Sequence, residues 1–162
     1  MYSENQGLNP KTALAAQLAT LLADLMVLRS LAQGYHWNVK GANFPQYHSF
    51  FATIYEDVSD SIDPMAENIR KLGHDAPYLL QDFLGLSSIA EQKRYFGWDR
   101  PMLGSLLEAN AVVADELRIA LKSAEQCNEQ GIVDFLGGRI DMHMKWDWQL
   151  KATLVDSEEL EG

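Results

Sequence analysis

Apolar residues recur in this chain at three- and four-residue steps almost from end to end, and that spacing confines it to packed helices. From Lys11 onward Leu14, Leu18, Leu21, Leu25, Leu28 and Ala32 mark one stripe, with Pro10 suited to its first turn. It continues through Tyr35 and His36 until Gly41, where a turn over Gly41, Ala42, Asn43, Phe44 and Pro45 stops it. A second stripe follows in Tyr47, Phe51, Ile54, Val58, Ile62, Met65 and Ile69, closing at Gly73. Pro64 falls inside it. A proline there removes one backbone hydrogen bond at a cost of about 3 kcal/mol, which predicts a kink near Asp63 or a break.

Residues 74–98 carry Pro77, Gly85 and Gly97 around one apolar cluster, Leu79, Leu80, Phe83 and Leu84, and read as a crossover holding a short helix. Asp99 reads as the N-cap of a third long helix, with Pro101 in its first turn. Leu103, Leu107, Val113, Leu117 and Leu121 mark that helix, which ends near Cys127. Gly131 separates it from a fourth, marked by Val133, Leu136, Ile140, Met144 and Trp148. Tight turns force antiparallel neighbours, so two hairpins joined by one long connection make an all-α four-helix bundle with a single crossover. One domain over 1–162 is expected, with 1–10 and 156–162 as flexible tails.

Apolar residues make up 47 % of 162, enough for a core in a chain of this length. The net charge of −10, from 23 acidic and 13 basic residues, repels nucleic-acid backbones and anionic membranes and attracts small cations. A lone cysteine, Cys127, forms no internal disulfide and fits a reducing compartment. No charged-then-apolar leader and no run of about 18 apolar residues is evident. The expectation is a cytoplasmic protein.

Iron-oxidising bundles usually carry a Glu on two helices and a Glu-x-x-His pair on each of the others. No Glu-x-x-His occurs here, which argues against an inward-facing di-iron centre. Two separated pairs remain. His36 ends the first helix and His48 begins the second, so the hairpin can bring them together. Asp63 and Glu67, four apart, share a helical face. From His48 to Asp63 a helix rises roughly 22 Å, so one chain cannot wrap all four side chains around one ion. Two chains related by a two-fold axis can, and symmetry then makes two sites. Mixed imidazole and carboxylate ligands suit iron and also accept zinc or manganese. Each residue has a plainer reading as well: a structural histidine, an N-cap at Asp63 before Pro64, a solvated Glu67.

The run Tyr35-His36-Trp37-Asn38-Val39-Lys40-Gly41, then Asn43-Phe44, His48 and Asp63-Pro64-Met65-Ala66-Glu67, resembles the signature of the Dps family, the mini-ferritins named for DNA protection during starvation. Asp134-Phe135-Leu136 and Lys145-x-x-Trp148-x-x-Lys151-Ala152 resemble that family's last helix. The resemblance implies a ferritin-like bundle, assembled as a hollow dodecamer that oxidises ferrous iron with hydrogen peroxide and stores ferric mineral. By position His36 and His48 would come from one subunit and Asp63 and Glu67 from its partner, with Glu67 bridging two iron positions. Trp37 would sit beside the centre as an electron donor, or else be a buried core aromatic.

The chain also departs from that pattern. Many relatives carry an acidic residue four beyond the second histidine, where this chain has Ala52, so the second iron position loses a ligand. The acidic pores that admit iron on three-fold axes correspond here to Glu125, Gln130 and Asp134, with Glu129 beside the uncharged Gln130. Direct DNA binding is not expected: residues 1–10 hold Glu4 and no Lys or Arg, and the tail holds Asp156, Glu158, Glu159 and Glu161. His74 and His143 match no ligand and read as structural or surface residues. A metal-binding cage or dimer without turnover, and a plain helical bundle used for protein association, are the competing readings.

Overall fold

The computed structural model describes residues 9–90, 95 and 97–155. Five helices follow in order: α1 Pro10–Asn38, α2 Phe44–Lys71, α3 Leu80–Leu86, α4 Asp99–Gln126 and α5 Gln130–Leu154. Helices α1 and α2 pack as one antiparallel hairpin and α4 and α5 as another. α1 lies against α4 and also carries the short α3. Among the described residues there is no strand, only an isolated bridge from Val39 to Gly97, where the Gly97 amide donates to the Asn38 carbonyl at 3.0 Å.

The first stripe forms the bundle's spine: Leu14, Leu18, Leu21, Leu25, Leu28 and Ala32 are all buried. Asn9 caps α1 through its side chain, which accepts from the Lys11 amide at 3.0 Å, and Pro10 occupies the first turn. Against the expectation that no stretch could span a bilayer, α1 is long and apolar enough to do so by length and composition. Here that apolarity is spent on three helical neighbours. Asp24, fully buried on the same helix, ties down the crossover: its Oδ1 accepts from Ser87 Oγ at 2.7 Å and from the amides of Ser88 and Ile89 at 2.6 and 3.3 Å. Burial pushes this carboxyl's pKa up, and those three donors oppose the rise.

Several expectations are corrected. Phe44 and Pro45 belong to the first turn of α2 rather than to the loop. α2 runs unbroken through Pro64, because Val58, Ser61, Met65, Asn68 and Ile69 are buried on either side and that packing offsets the missing bond to the carbonyl of Asp60. Asp99 is the first residue of α4 rather than its cap. Trp98 takes the cap position, and Asp99 accepts from the Arg100 amide at 2.8 Å. The α4–α5 turn comprises Cys127, Asn128 and Glu129, with Asn128 at φ 58°, and Gly131 already lies in α5. Of the tails expected over 1–10 and 156–162, Asn9 and Pro10 instead cap and open α1, and residues 1–8 and 156–162 lie outside the described residues.

The final helix is rotated relative to its sequence stripe. Leu136 is buried, but Met144 and Trp148 are 45 % and 65 % exposed. The inward face of α5 is Ile132, Leu136, His143, Trp146 and Leu150.

Candidate metal centre

The α1–α2 turn holds two imidazoles face to face. The rings of His36 and His48 stack with centroids 3.7 Å apart and planes 21° from parallel. Each Nδ1 lies against the other residue's backbone carbonyl, His36 Nδ1 at 2.7 Å from the His48 oxygen and His48 Nδ1 at 2.8 Å from the His36 oxygen. A carbonyl can only accept, so both Nδ1 atoms carry the proton and donate. That choice of tautomer leaves both Nε2 lone pairs free for a cation, with each ring oriented by a backbone group. Proximity of helix ends alone would not have fixed this. The close turn, with Gly41 at φ 114°, lets the two carbonyls cross over.

Two further rings extend the stack. Phe44 lies on His48 at 4.9 Å and Tyr55 meets His36 edge-on at 5.3 Å. Phe44 belongs to the signature quoted from the sequence, whereas Tyr55 was not singled out there. The available signal was spacing, since Tyr55 stands seven residues after His48, two turns along one face. Trp37 is not a core aromatic: its ring is 67 % exposed, and none of the ring contacts among the described residues involves it.

Asp63 and Glu67 are both exposed, on either side of Pro64 in the unbroken α2. They stand well away from the histidines, for α1 and α2 run antiparallel and Arg29 Nε already donates to Ser59 Oγ at 3.1 Å between the two pairs. Among the described residues no three His, Cys, Asp or Glu side chains of the chain come together as a metal site. One end of the hairpin thus offers two half-buried imidazole donors and the other two exposed carboxylates.

A different polar cluster fills the bundle interior. Arg139 holds Asp57 with two bonds of 3.0 and 2.8 Å, Trp146 Nε1 donates to the same carboxylate at 3.1 Å, and Arg139 also reaches His143 Nε2 at 3.3 Å. His143 Nδ1 donates to Asn110 Oδ1 at 2.8 Å, and the Asn110 amide returns a bond to the His143 carbonyl at 2.9 Å. Burial, then the Arg139 charge, drives the His143 pKa down to about 3. Burial raises Asp57, but Arg139 and Trp146 outweigh it and hold this carboxyl below its usual range. The Arg139 guanidinium stands between Asp57 and His143, and His143 is fully buried within this cluster.

At the α4–α5 turn Glu125 and Asp134 are exposed, and Asp134 accepts from Gln130 Nε2 at 3.2 Å. Glu129 is engaged by Lys11 at 2.5 Å, which leaves less of its charge for the turn.

Residues 15–160 match the family profile of the ferritin-like domain. The chain is 28 % identical over 138 residues to the DNA protection during starvation protein of Helicobacter pylori, covering 85 % of this chain and 96 % of that one. Among solved structures it is similar to a Dps protein from Vibrio cholerae O1, described as a member of a broad superfamily of ferritin-like diiron-carboxylate proteins, with a TM-score of 0.86, 27 % identity and 96 % and 98 % of the two chains covered. A Dps protein from Bacillus brevis gives a TM-score of 0.84 at 26 % identity, covering 96 % and 100 %.

Proposed function

The chain belongs to the ferritin-like family, in its Dps branch, and from that premise we propose that it is a ferroxidase and iron-storage mini-ferritin. It oxidises ferrous iron at sites shared between two copies, with hydrogen peroxide as the preferred oxidant. It keeps the ferric product as mineral inside a dodecameric cage and so protects the cell against oxidative stress.

The observation that carries this reading is the split donor set along one unbroken helix. His48 and the Asp63–Glu67 pair stand roughly 22 Å or more apart along α2. A two-fold axis crossing α2 near Glu56, midway between them, sets each chain's imidazoles against the other's carboxylates and makes two equal sites. Iron is the substrate: two Nε2 donors and two carboxylates suit the ferrous ion, and the harder carboxylate oxygens favour the ferric product. The surface alongside fits contact with another copy. Leu80 and Leu84 are 74 % and 76 % exposed, and with Met26, Val27, Leu31 and Phe83 they line a groove of about 370 Å³ between α1 and α3. Exposed Glu125 and Asp134 give ferrous ions an acidic approach.

The test is the double variant His36→Ala with Glu67→Ala, mixed with ferrous iron and peroxide. Rapid ferric formation is abolished while light scattering still reports about twelve times 18.2 kDa. Initial rates equal to those of the unaltered protein contradict the assignment.

A further inference from the structure

We propose that Asp75 is a positioning residue that holds the Arg70 guanidinium off Glu67, so that the carboxylate pair meets a cation at full charge. The inference rests on the iron-oxidising reading above, in which Asp63 and Glu67 are ligands. Asp75 itself touches no ion and acts only through Arg70.

The spacing along α2 invites the opposite arrangement. Side chains three and four apart on a helix are neighbours, and a glutamate four residues before a lysine is the favoured order for an ion pair. Arg70 stands three residues after Glu67 and Lys71 four, the last two residues of the helix. Either cation could close over the Glu67 carboxylate. A positive charge held there would repel a divalent ion, which would have to displace it before binding.

Both cations are directed elsewhere. Lys71 Nζ donates to Oδ1 of the buried Asn68 at 3.1 Å. Arg70 Nη1 donates to the His74 carbonyl at 2.8 Å and pairs with the Asp75 carboxylate. These acceptors come within reach because the chain doubles back after α2. Gly73 stands at φ 85°, its amide donates to the Arg70 carbonyl at 2.9 Å, and the His74 amide donates to the Ile69 carbonyl at 3.3 Å. Among the described residues neither Asp63 nor Glu67 enters an ion pair. The negative end of α2 adds to their charge, and the combined field favours a divalent cation.

The experiment measures cobalt(II) binding to the assembled protein by calorimetry at low salt, for Asp75→Ala, Arg70→Gln and the two together. Asp75→Ala should bind about threefold more weakly, the scale of an exposed ion pair, with the light-scattering mass unchanged. Arg70→Gln alone should leave binding nearly unchanged, because Asp75 already holds that charge away. The double variant should bind as the unaltered protein does, and so should Asp75→Glu, which keeps the carboxylate. The holding role of Asp75 is overturned if Asp75→Ala binds normally or if the double variant stays weak. It is also overturned if Arg70→Gln tightens binding equally with and without Asp75, since only summed charge would then matter. Asp63→Asn with Glu67→Gln separates the two readings: cobalt bound as tightly without these carboxylates overturns the shared site together with the proposal.

Discussion

Arg139 on α5 grips both carboxylate oxygens of Asp57 on α2, at 3.0 and 2.8 Å, and so locks the α1–α2 hairpin to the far side of the bundle. Both side chains are largely withdrawn from water, at 11 % and 22 % exposure. Removing one partner strands the other, so Asp57→Asn lowers stability by about 3 kcal/mol, read as the shift of the unfolding transition in the metal-free protein. Replacing both with apolar residues, Asp57→Leu with Arg139→Met, costs less than either single change. A double variant as unstable as the sum of the singles would contradict this coupling.

The same cluster sets an acid limit. His143 titrates at about 3 in the fold and at its ordinary 6.5 when unfolded. Between those values the unfolded chain binds the extra proton, so stability is full above about pH 6.5 and falls steadily as pH drops toward 3. Asp57, with its lowered pKa, adds a further loss only below its ordinary 3.8. Thermal melts of metal-free protein across this range should show the slope, and His143→Gln should flatten it between pH 6.5 and about 4. An unchanged slope in that variant would assign the acid sensitivity elsewhere.

The fold was legible where one face of a helix is apolar and the other is not. The leucines of α1 and the apolar residues of α2 and α4 marked their inward faces, and they are buried or half-buried there. α5 misled because it carries apolar residues on two faces. Its inward side is chosen by Trp146 and His143, whose partners Asp57 and Asn110 lie 89 and 33 residues away. Spacing cannot register bonds of that range. At the site, sequence brought His36 and His48 to one turn, but the crossed carbonyl bonds and the contact with Tyr55 depend on ring orientation. Pro64 promised a break because the local cost is visible in sequence, while the packing that overrides it is not.

Ala52 stands one turn beyond His48 on the same face of α2, half-buried. Ala52→Asp places a third carboxylate beside the proposed site. Cobalt(II) titration of that variant should show a second ion per site bound on the order of 10-fold more tightly than in the unaltered protein, the worth of about 1.4 kcal/mol. An unchanged stoichiometry and affinity would place position 52 away from the metal.

The net charge of −10 per chain, multiplied over a cage, opposes contact with another polyanion. Plasmid DNA should migrate unretarded with this protein at physiological salt. Retardation without added metal would contradict that expectation.

Subunit mixing tests most directly whether the site spans two chains. One variant, His36→Ala with His48→Ala, keeps its carboxylates; the other, Asp63→Asn with Glu67→Gln, keeps its imidazoles. Each alone should be inactive. Co-assembled in equal amounts, half of the pairs are mixed, and each mixed pair regenerates one intact site of two, so about a quarter of the rapid iron-oxidation rate returns. If the mixture stays as inactive as its parents while scattering shows the same assembled mass, each chain works alone and the shared site is wrong.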